Sequence, residues 1–245
     1  MSFREPHQSK RANLAELDYI AGGGGVVDGS KQHTHFRWSY IGALLKRRSM
    51  AGICLGQFAC DSTNGFFLTW FPTYLATKRH MPWLKVGVVA VLPFIAASVG
   101  TLAGGWISDA LLRRGVSLNW SRKLPVIFGL LAASTIVFAN YVDSTTAVIA
   151  ILCCAYFAQG MSALAWMIVS DIAPKGLLGL SGGIFNLFAN AAGIVTPLVI
   201  GLIVNATGSF VYALAFISAV TLIGALSYIF IVGDIKRIEL DQPVV

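Results

Sequence analysis

From residue 50 onward the chain alternates long apolar runs with short polar turns. The runs predict helices at about 50–76, 86–112, 123–141, 146–170, 178–204 and 210–233, each near the roughly 20 residues that a bilayer crossing needs. The turns are short, so neighbouring helices should run antiparallel and pack closely. The expected fold class is an all-α membrane protein with six transmembrane helices. Residues 1–49 read as a cytoplasmic connector and residues 234–245 as a cytoplasmic tail.

The pattern inside the runs is more informative than the runs themselves. The first carries Gln57, Asp61 and Asn64, at offsets of four and three, on one helical face. The second carries Ser98, Thr101 and Ser108; the fourth Gln159, Ser162 and Trp166; the fifth Asn186 and Asn190, with Gly193 and Pro197 continuing that face. Polar groups at membrane depth are expensive unless they line a cavity or bond to a neighbouring helix. For the Ser and Thr residues interhelical hydrogen bonding is the expectation. For Gln57, Asn64, Asn186 and Asn190 it is the lining of a substrate cavity, with Trp166 offering a flat apolar face and one donor. Asp61 lies near mid-membrane with no Lys or Arg in the core of any run, which makes it a candidate proton-coupling group. Trp70, Tyr74 and Trp83 fall where an aromatic belt would anchor the outer boundary. Gly100 and Gly104 have the small-xxx-small spacing of close helix approach, and Pro93 and Pro197 should kink or loosen their helices.

Composition agrees: 56% of the 245 residues are hydrophobic and 12% charged, whereas a soluble domain carries about twice that charged share. The net charge of +7 sits at the ends of apolar runs, so it signals topology and not a nucleic-acid surface. Of 18 Lys and Arg, only Lys78, Arg79 and Lys85 fall on one side of the predicted bundle. The others fall with the termini, which places both termini in the cytoplasm. Cys54, Cys60, Cys153 and Cys154 all lie in apolar runs without metal-ligand spacing. In the N-terminal segment, Gly22 to Gly25 lack the strand and the Lys-Ser/Thr of a phosphate loop and read as a flexible connector. His33 and His35 stand without further ligands. Trp38, Tyr40, Leu44 and Leu45 beside basic residues suggest a short amphipathic surface helix. No nucleophile–base pair, metal set or cofactor motif appears, so no catalytic residue, metal or cofactor is expected.

At the end of the second run the sequence reads GGWISDALLRRG, from Gly104 to Gly115. It resembles the loop motif of the major facilitator superfamily, in the form found between helices 8 and 9. Gly104 and Gly105 would allow tight packing, Asp109 could pair with Arg113 one turn on, and Arg114 would sit with Arg113 at the headgroups. In that superfamily the cluster latches the two halves of a transporter in one state. AELDYIAGGGGVVD, FFLTWFPTYL, SDALLRRGVSL, NYVD, SDIAPKGLLGLSGGIFN, TPLVIGLIVNATGSF and IVGDIKRIEL extend the likeness over nearly the whole chain. They resemble the sugar-acid branch of the anion:cation symporters, and within it the D-glucarate/D-galactarate transporters. The resemblance implies proton-coupled uptake of an anionic sugar acid across a bacterial inner membrane. It also implies that Gln57, Trp166, Asn186 and Asn190 lie on the C-terminal wall of the substrate cavity. Asp61 departs from the neutral residue expected in relatives, which favours a polar lining role over coupling.

The resemblance aligns the chain with the inter-half connector and helices 7–12, the C-terminal half-bundle of a facilitator fold. A missing N-terminal six-helix half would carry most of the cationic substrate contacts and the main coupling carboxylate. Three readings follow: part of a symporter that is incomplete here, a half-transporter working with a partner half or as a homodimer, or a six-span membrane protein with a sensor or assembly role.

Overall fold

A computed structural model describes residues 12–22, 37–174 and 176–239. The glycines after Gly22, together with His33 and His35, lie outside the described residues. All regular elements among the described residues are helical. They are α1 (Leu14–Gly22), α2 (Ser39–Leu45), α3 (Arg48–Gly65), α4 (Phe71–Thr77), α5 (Trp83–Val89), α6 (Val91–Arg113), α7 (Leu118–Ala133), α8 (Thr145–Gly160), α9 (Ala165–Ile172), α10 (Leu178–Thr207) and α11 (Val211–Leu226). Five helical stretches are long and apolar enough to cross a membrane: Trp83–Arg113, Leu118–Tyr141, Thr145–Ile172, Leu178–Thr207 and Val211–Ile231. The run expected first, about 50–76, forms the helical stretch from α3 through α4 but is not among those five.

Several apolar runs that read as single helices contain a change of pitch. Between α3 and α4 lies a π turn, Phe66–Trp70, where the Phe71 N–H reaches back to the Phe66 carbonyl. Pro72 has no N–H to continue the regular ladder, and the wider turn accommodates its ring. Pro93 acts likewise: the helix breaks at Ala90 and restarts at Val91, leaving the proline in the first turn of α6, where a missing N–H costs least. The third run tightens to a 3-10 helix over Ser134–Tyr141, and the fourth does so over Met161–Leu164 in mid-span. By contrast α10 runs unbroken through Pro197, whose carbonyl accepts from the Trp70 indole N–H at 3.1 Å.

Close approach between helices rests on glycine. A Cβ on Gly100 would lie 1.9 Å from the Phe157 carbonyl oxygen, and one on Gly160 would lie 2.2 Å from that of Ala97, so α6 and α8 meet backbone to backbone. Gly104 continues the seam against Met161. Gly105 does not: a Cβ there meets nothing within 4 Å, so the tight packing expected of both glycines belongs to Gly104 alone. On α3, Gly56 receives the Tyr228 ring, and Gly224 of α11 receives the Ala59 methyl.

Two apolar clusters fill the bundle. One, at the end where α3 begins, gathers Met50, Ile53, Leu130, Ile168, Phe185 and Tyr228. The other, at the opposite end, gathers Phe66, Phe71, Tyr74, Leu152, Ile200 and Leu214. Between them buried hydroxyls pair across helices: Thr63 with Thr221 at 3.1 Å, and Thr196 donating to Ser62 at 2.9 Å. These bonds fit the interhelical role expected of Ser and Thr.

Both ends are tied. At the far end the Arg79 guanidinium donates to the carbonyls of Ala139, Val142 and Asp143. It also lies 5.9 Å from the centre of the Tyr74 ring. Tyr74 is thus buried against this clamp instead of anchoring a belt, whereas Trp83 is exposed as an anchor should be. At the near end the chain after α11 does not leave the bundle. Ile235 and Ile238 are buried, the Ile235 N–H donates to Asn119 at 3.0 Å, and the Ile238 N–H donates to the Ile172 carbonyl at 2.8 Å. The buried Lys123 ammonium donates to the Gly233 carbonyl.

The glycine seam gives a direct test. Gly100→Ala should lower thermal stability by about 1–3 kcal/mol, the usual cost of overpacking, because its methyl would meet a backbone carbonyl. Gly105→Ala, whose methyl would meet nothing within 4 Å, should change stability by less than about 0.5 kcal/mol. Melting of the two variants in detergent, followed by circular dichroism, measures the difference.

Candidate substrate cavity

The polar face of α3 is held together within the helix. The Gln57 side-chain amide donates to Asp61 Oδ2 at 2.5 Å and the Asn64 amide donates to Asp61 Oδ1 at 3.3 Å. Both carboxyl oxygens therefore serve as acceptors. The chain of contacts continues to α8, where the Tyr156 hydroxyl donates to Asn64 Oδ1. Tyr156 is fixed by its ring, which stacks on Phe67 at 4.0 Å between centroids and meets Phe94 edge-on at 5.4 Å.

This network divides two adjoining cavities. One, of about 350 Å³, is lined by Gln57, Asp61, Asn64, Ser98, Thr101, Tyr156, Gln159 and Trp166, among others. The other, of about 500 Å³, is lined by Asp61, Asn64, Thr69, Phe94, Tyr156, Asn186 and Asn190, among others. Gln57, Asp61, Asn64, Trp166, Asn186 and Asn190 thus line one or other cavity, with Asp61 and Asn64 common to both. Trp166 is half-exposed, lines the first cavity and meets Phe185 in a T-shaped contact at 4.8 Å between centroids. Asn186 and Asn190 lie one turn apart on α10; Asn190 donates to the Asn186 carbonyl at 2.8 Å and both stay exposed.

Some lining residues were not among the candidates. Tyr156 and Phe94 line both cavities, and contact with the α3 network gives Tyr156 its place in the wall. Gln159 does belong to a polar stripe, but its amide is committed to the Cys60 carbonyl at 2.9 Å, so it braces α8 against α3. Thr101 likewise bonds across to the Gly160 carbonyl at 3.1 Å.

The Gly104–Gly115 motif lies at the near end of the bundle. Asp109, Arg113 and Arg114 are all exposed, and among the described residues Asp109 and Arg113 form no ion pair. The i+4 pairing expected from spacing is replaced by a longer-range one. Arg122 at the start of α7 faces Asp171 at the end of α9, 3.7 Å apart and both largely shielded. Arg122 also donates to the Ser108 hydroxyl at 3.1 Å, which joins α6 to the pair. The pair is loose, because Arg122 Nε and Asp171 Oδ2 are buried without a hydrogen bond between them. No sequence spacing joins positions 122 and 171; only the antiparallel return of α9 does.

The sequence profile of the Major Facilitator Superfamily matches residues 2–197. The chain belongs to that superfamily. It is 45% identical over 99% of its length to the probable galactarate/D-glucarate transporter GudP of Escherichia coli (strain K12), covering 55% of that protein. It is 44% identical over 96% of its length to the D-galactonate transporter of Escherichia coli O6:H1, covering 56%. It is 30% identical over 82% of its length to the hexuronate transporter of Bacillus subtilis, covering 49%. The chain thus spans about half the length of the curated relatives it matches. These relatives are named as transporters, and this facilitator chain is a multi-pass membrane protein by its apolar helices.

The Arg122–Asp171 pair can be tested by a double-mutant cycle. Arg122→Gln should destabilise the protein by about 1–2 kcal/mol, since it takes the nearest cation from a partly shielded carboxylate. Adding Asp171→Asn should recover most of that loss. Thermal melting of the single and double variants measures the coupling; additive losses would show that the two side chains do not interact.

Proposed function

We propose that this chain is the C-terminal half of a proton-coupled transporter for an anionic sugar acid of the glucarate or galactarate type. The observation that carries the proposal is the convergence of Gln57, Asn64, Trp166, Asn186 and Asn190 on two adjoining cavities in a chain similar to sugar-acid transporters. Amide groups suit hydroxyls and carboxylates, and the half-exposed indole suits the apolar face of a sugar chain. Asp61 takes a polar lining role: its oxygens hold Gln57 and Asn64 in register.

In this reading the α3–α4 stretch is a sixth crossing. Its polar seam keeps its hydropathy below that of the other five, and the seam is tolerable because it faces a cavity. The distribution of Lys and Arg puts both termini in the cytoplasm of a bacterial inner membrane. A further six-helix half would face α6 and α10, whose apolar windows are only 17% buried. That half would supply the cations that a sugar dianion requires, since moving such an ion into the membrane uncompensated is prohibitive. Gly104, Gly105, Asp109, Arg113 and Arg114, together with the loose Arg122–Asp171 pair, form the latch on the cytoplasmic side.

Uptake of labelled glucarate into proteoliposomes under an inward proton gradient tests the reading. The chain with a matching N-terminal half should transport, and the chain alone should not. Transport by the chain alone would instead support a homodimer. No transport by either, with both folded, would favour a sensor or assembly role.

In the transporting assembly, Gln57→Ala and Asn186→Ala should each raise the half-saturating glucarate concentration roughly ten-fold, the loss of one hydrogen bond to a charged group. Asp61→Asn should leave the proton dependence of uptake intact. Loss of proton-driven accumulation in that variant would return Asp61 to the coupling role.

A further inference from the structure

A further cavity, of about 660 Å³, lies at the near end of the bundle, away from the polar seam, between the start of α3 and the chain after α11. Arg47, Arg48, Lys236 and Arg237 line it, with Asp234 and Glu239 as the carboxylates. All six side chains are exposed. The cations are only partly compensated. Lys236 pairs with Asp234 at 3.3 Å, and Arg47 donates to the backbone carbonyl of Glu239 at 3.0 Å, not to its carboxylate. Arg48 and Arg237 have no ion pair among the described residues, although Arg237 feels the field of Asp171. The α3 helix also begins here without a side-chain cap, adding the positive end of its dipole to the same space.

The walls are fixed. Burial of Ile235 and Ile238 turns Lys236 and Arg237 outward, and the backbone bonds of Ile235 and Ile238 hold that register. The depth is set as well. The apolar stretch Val211–Ile231 ends one residue before Val232 of the pocket wall. Ile229, Phe230 and Ile231, just below, are exposed, Phe230 by 74%. A cationic pocket therefore sits at headgroup level directly above an apolar surface that faces outward. Soluble anions would use only the first of these features, whereas a phospholipid uses both.

We propose that this pocket binds the phosphate headgroup of an anionic phospholipid, with the acyl chains lying along Ile229, Phe230 and Ile231. The lipid would bridge the start of α3 to the chain after α11, the two segments that carry Arg48 and Arg237, which form no ion pair among the described residues.

Native mass spectrometry of the full chain, released from detergent with phosphatidylglycerol or phosphatidylcholine added, tests the site. Phosphatidylglycerol should be retained in preference to phosphatidylcholine. Arg48→Gln with Arg237→Gln should weaken that retention roughly five-fold per cation removed, the effect of one basic residue at an anionic surface. Lys78→Gln with Lys85→Gln removes equal charge at the opposite end and should leave retention unchanged. Equal losses in the two double variants, or no preference between the lipids, would overturn the proposal. Binding of glycerol phosphate as tight as that of the diacyl lipid would assign the pocket to soluble anions and overturn it equally. Should the first double variant fail to fold by circular dichroism, Arg237→Gln alone supplies the same reading at half the charge loss.

Discussion

A bilayer core offers no hydrogen-bond partners, so a polar group placed there must find one within the protein. That constraint organises this chain. The α3 helix carries Gln57, Asp61, Ser62, Thr63 and Asn64 within two turns. Each is satisfied differently: Ser62 and Thr63 by hydroxyls on α10 and α11, Asp61 by its own helix neighbours, and Asn64 by Tyr156. The hydroxyls face inward and glue the bundle. The amides and the carboxylate face the cavities. One helix therefore supplies both the structural seam and the wall of the candidate site.

The same constraint explains the breaks in the helices. A proline removes one donor and leaves one carbonyl short, and two of the prolines here fall where the helix changes pitch or restarts. Pro72 is met by a π turn and Pro93 by a helix restart. At Pro197 the α10 helix continues unbroken, and the proline's own carbonyl takes an added bond from the Trp70 indole. The π turn and the mid-span 3-10 segment at Met161–Leu164 flank the cavities, so the pitch changes aim Phe67 and Trp166 as well as relieving strain.

The two ends of the bundle are closed by unlike means. At the far end one guanidinium caps the carbonyls at the end of the 3-10 segment, a planar fork that lysine could not reproduce. At the near end the closing element is the chain itself, folded back through Ile235 and Ile238 and pinned by Lys123. This near end also holds the loose Arg122–Asp171 pair and the cationic pocket, so the charges concentrate where the apolar windows stop.

Periodicity and composition alone determined the class, the stations of the long apolar helices and the polar faces, because a bilayer imposes length and hydropathy on each segment separately. The motif from Gly104 to Gly115 pointed to the family for the same local reason. Other features arise between segments and were invisible along the chain. Asp109 and Arg113 have ideal spacing but are exposed and form no ion pair among the described residues, while Arg122 and Asp171, 49 positions apart, meet because α9 returns beside α7. Tyr156 takes its place at the site only because the fold brings α8 beside α3, where its hydroxyl reaches Asn64. The tail looked solvated until its two isoleucines found the core. Sequence spacing specifies which groups share a helical face; only the packing of the helices decides which face meets which, and therefore which polar groups are spent on structure and which remain for a ligand.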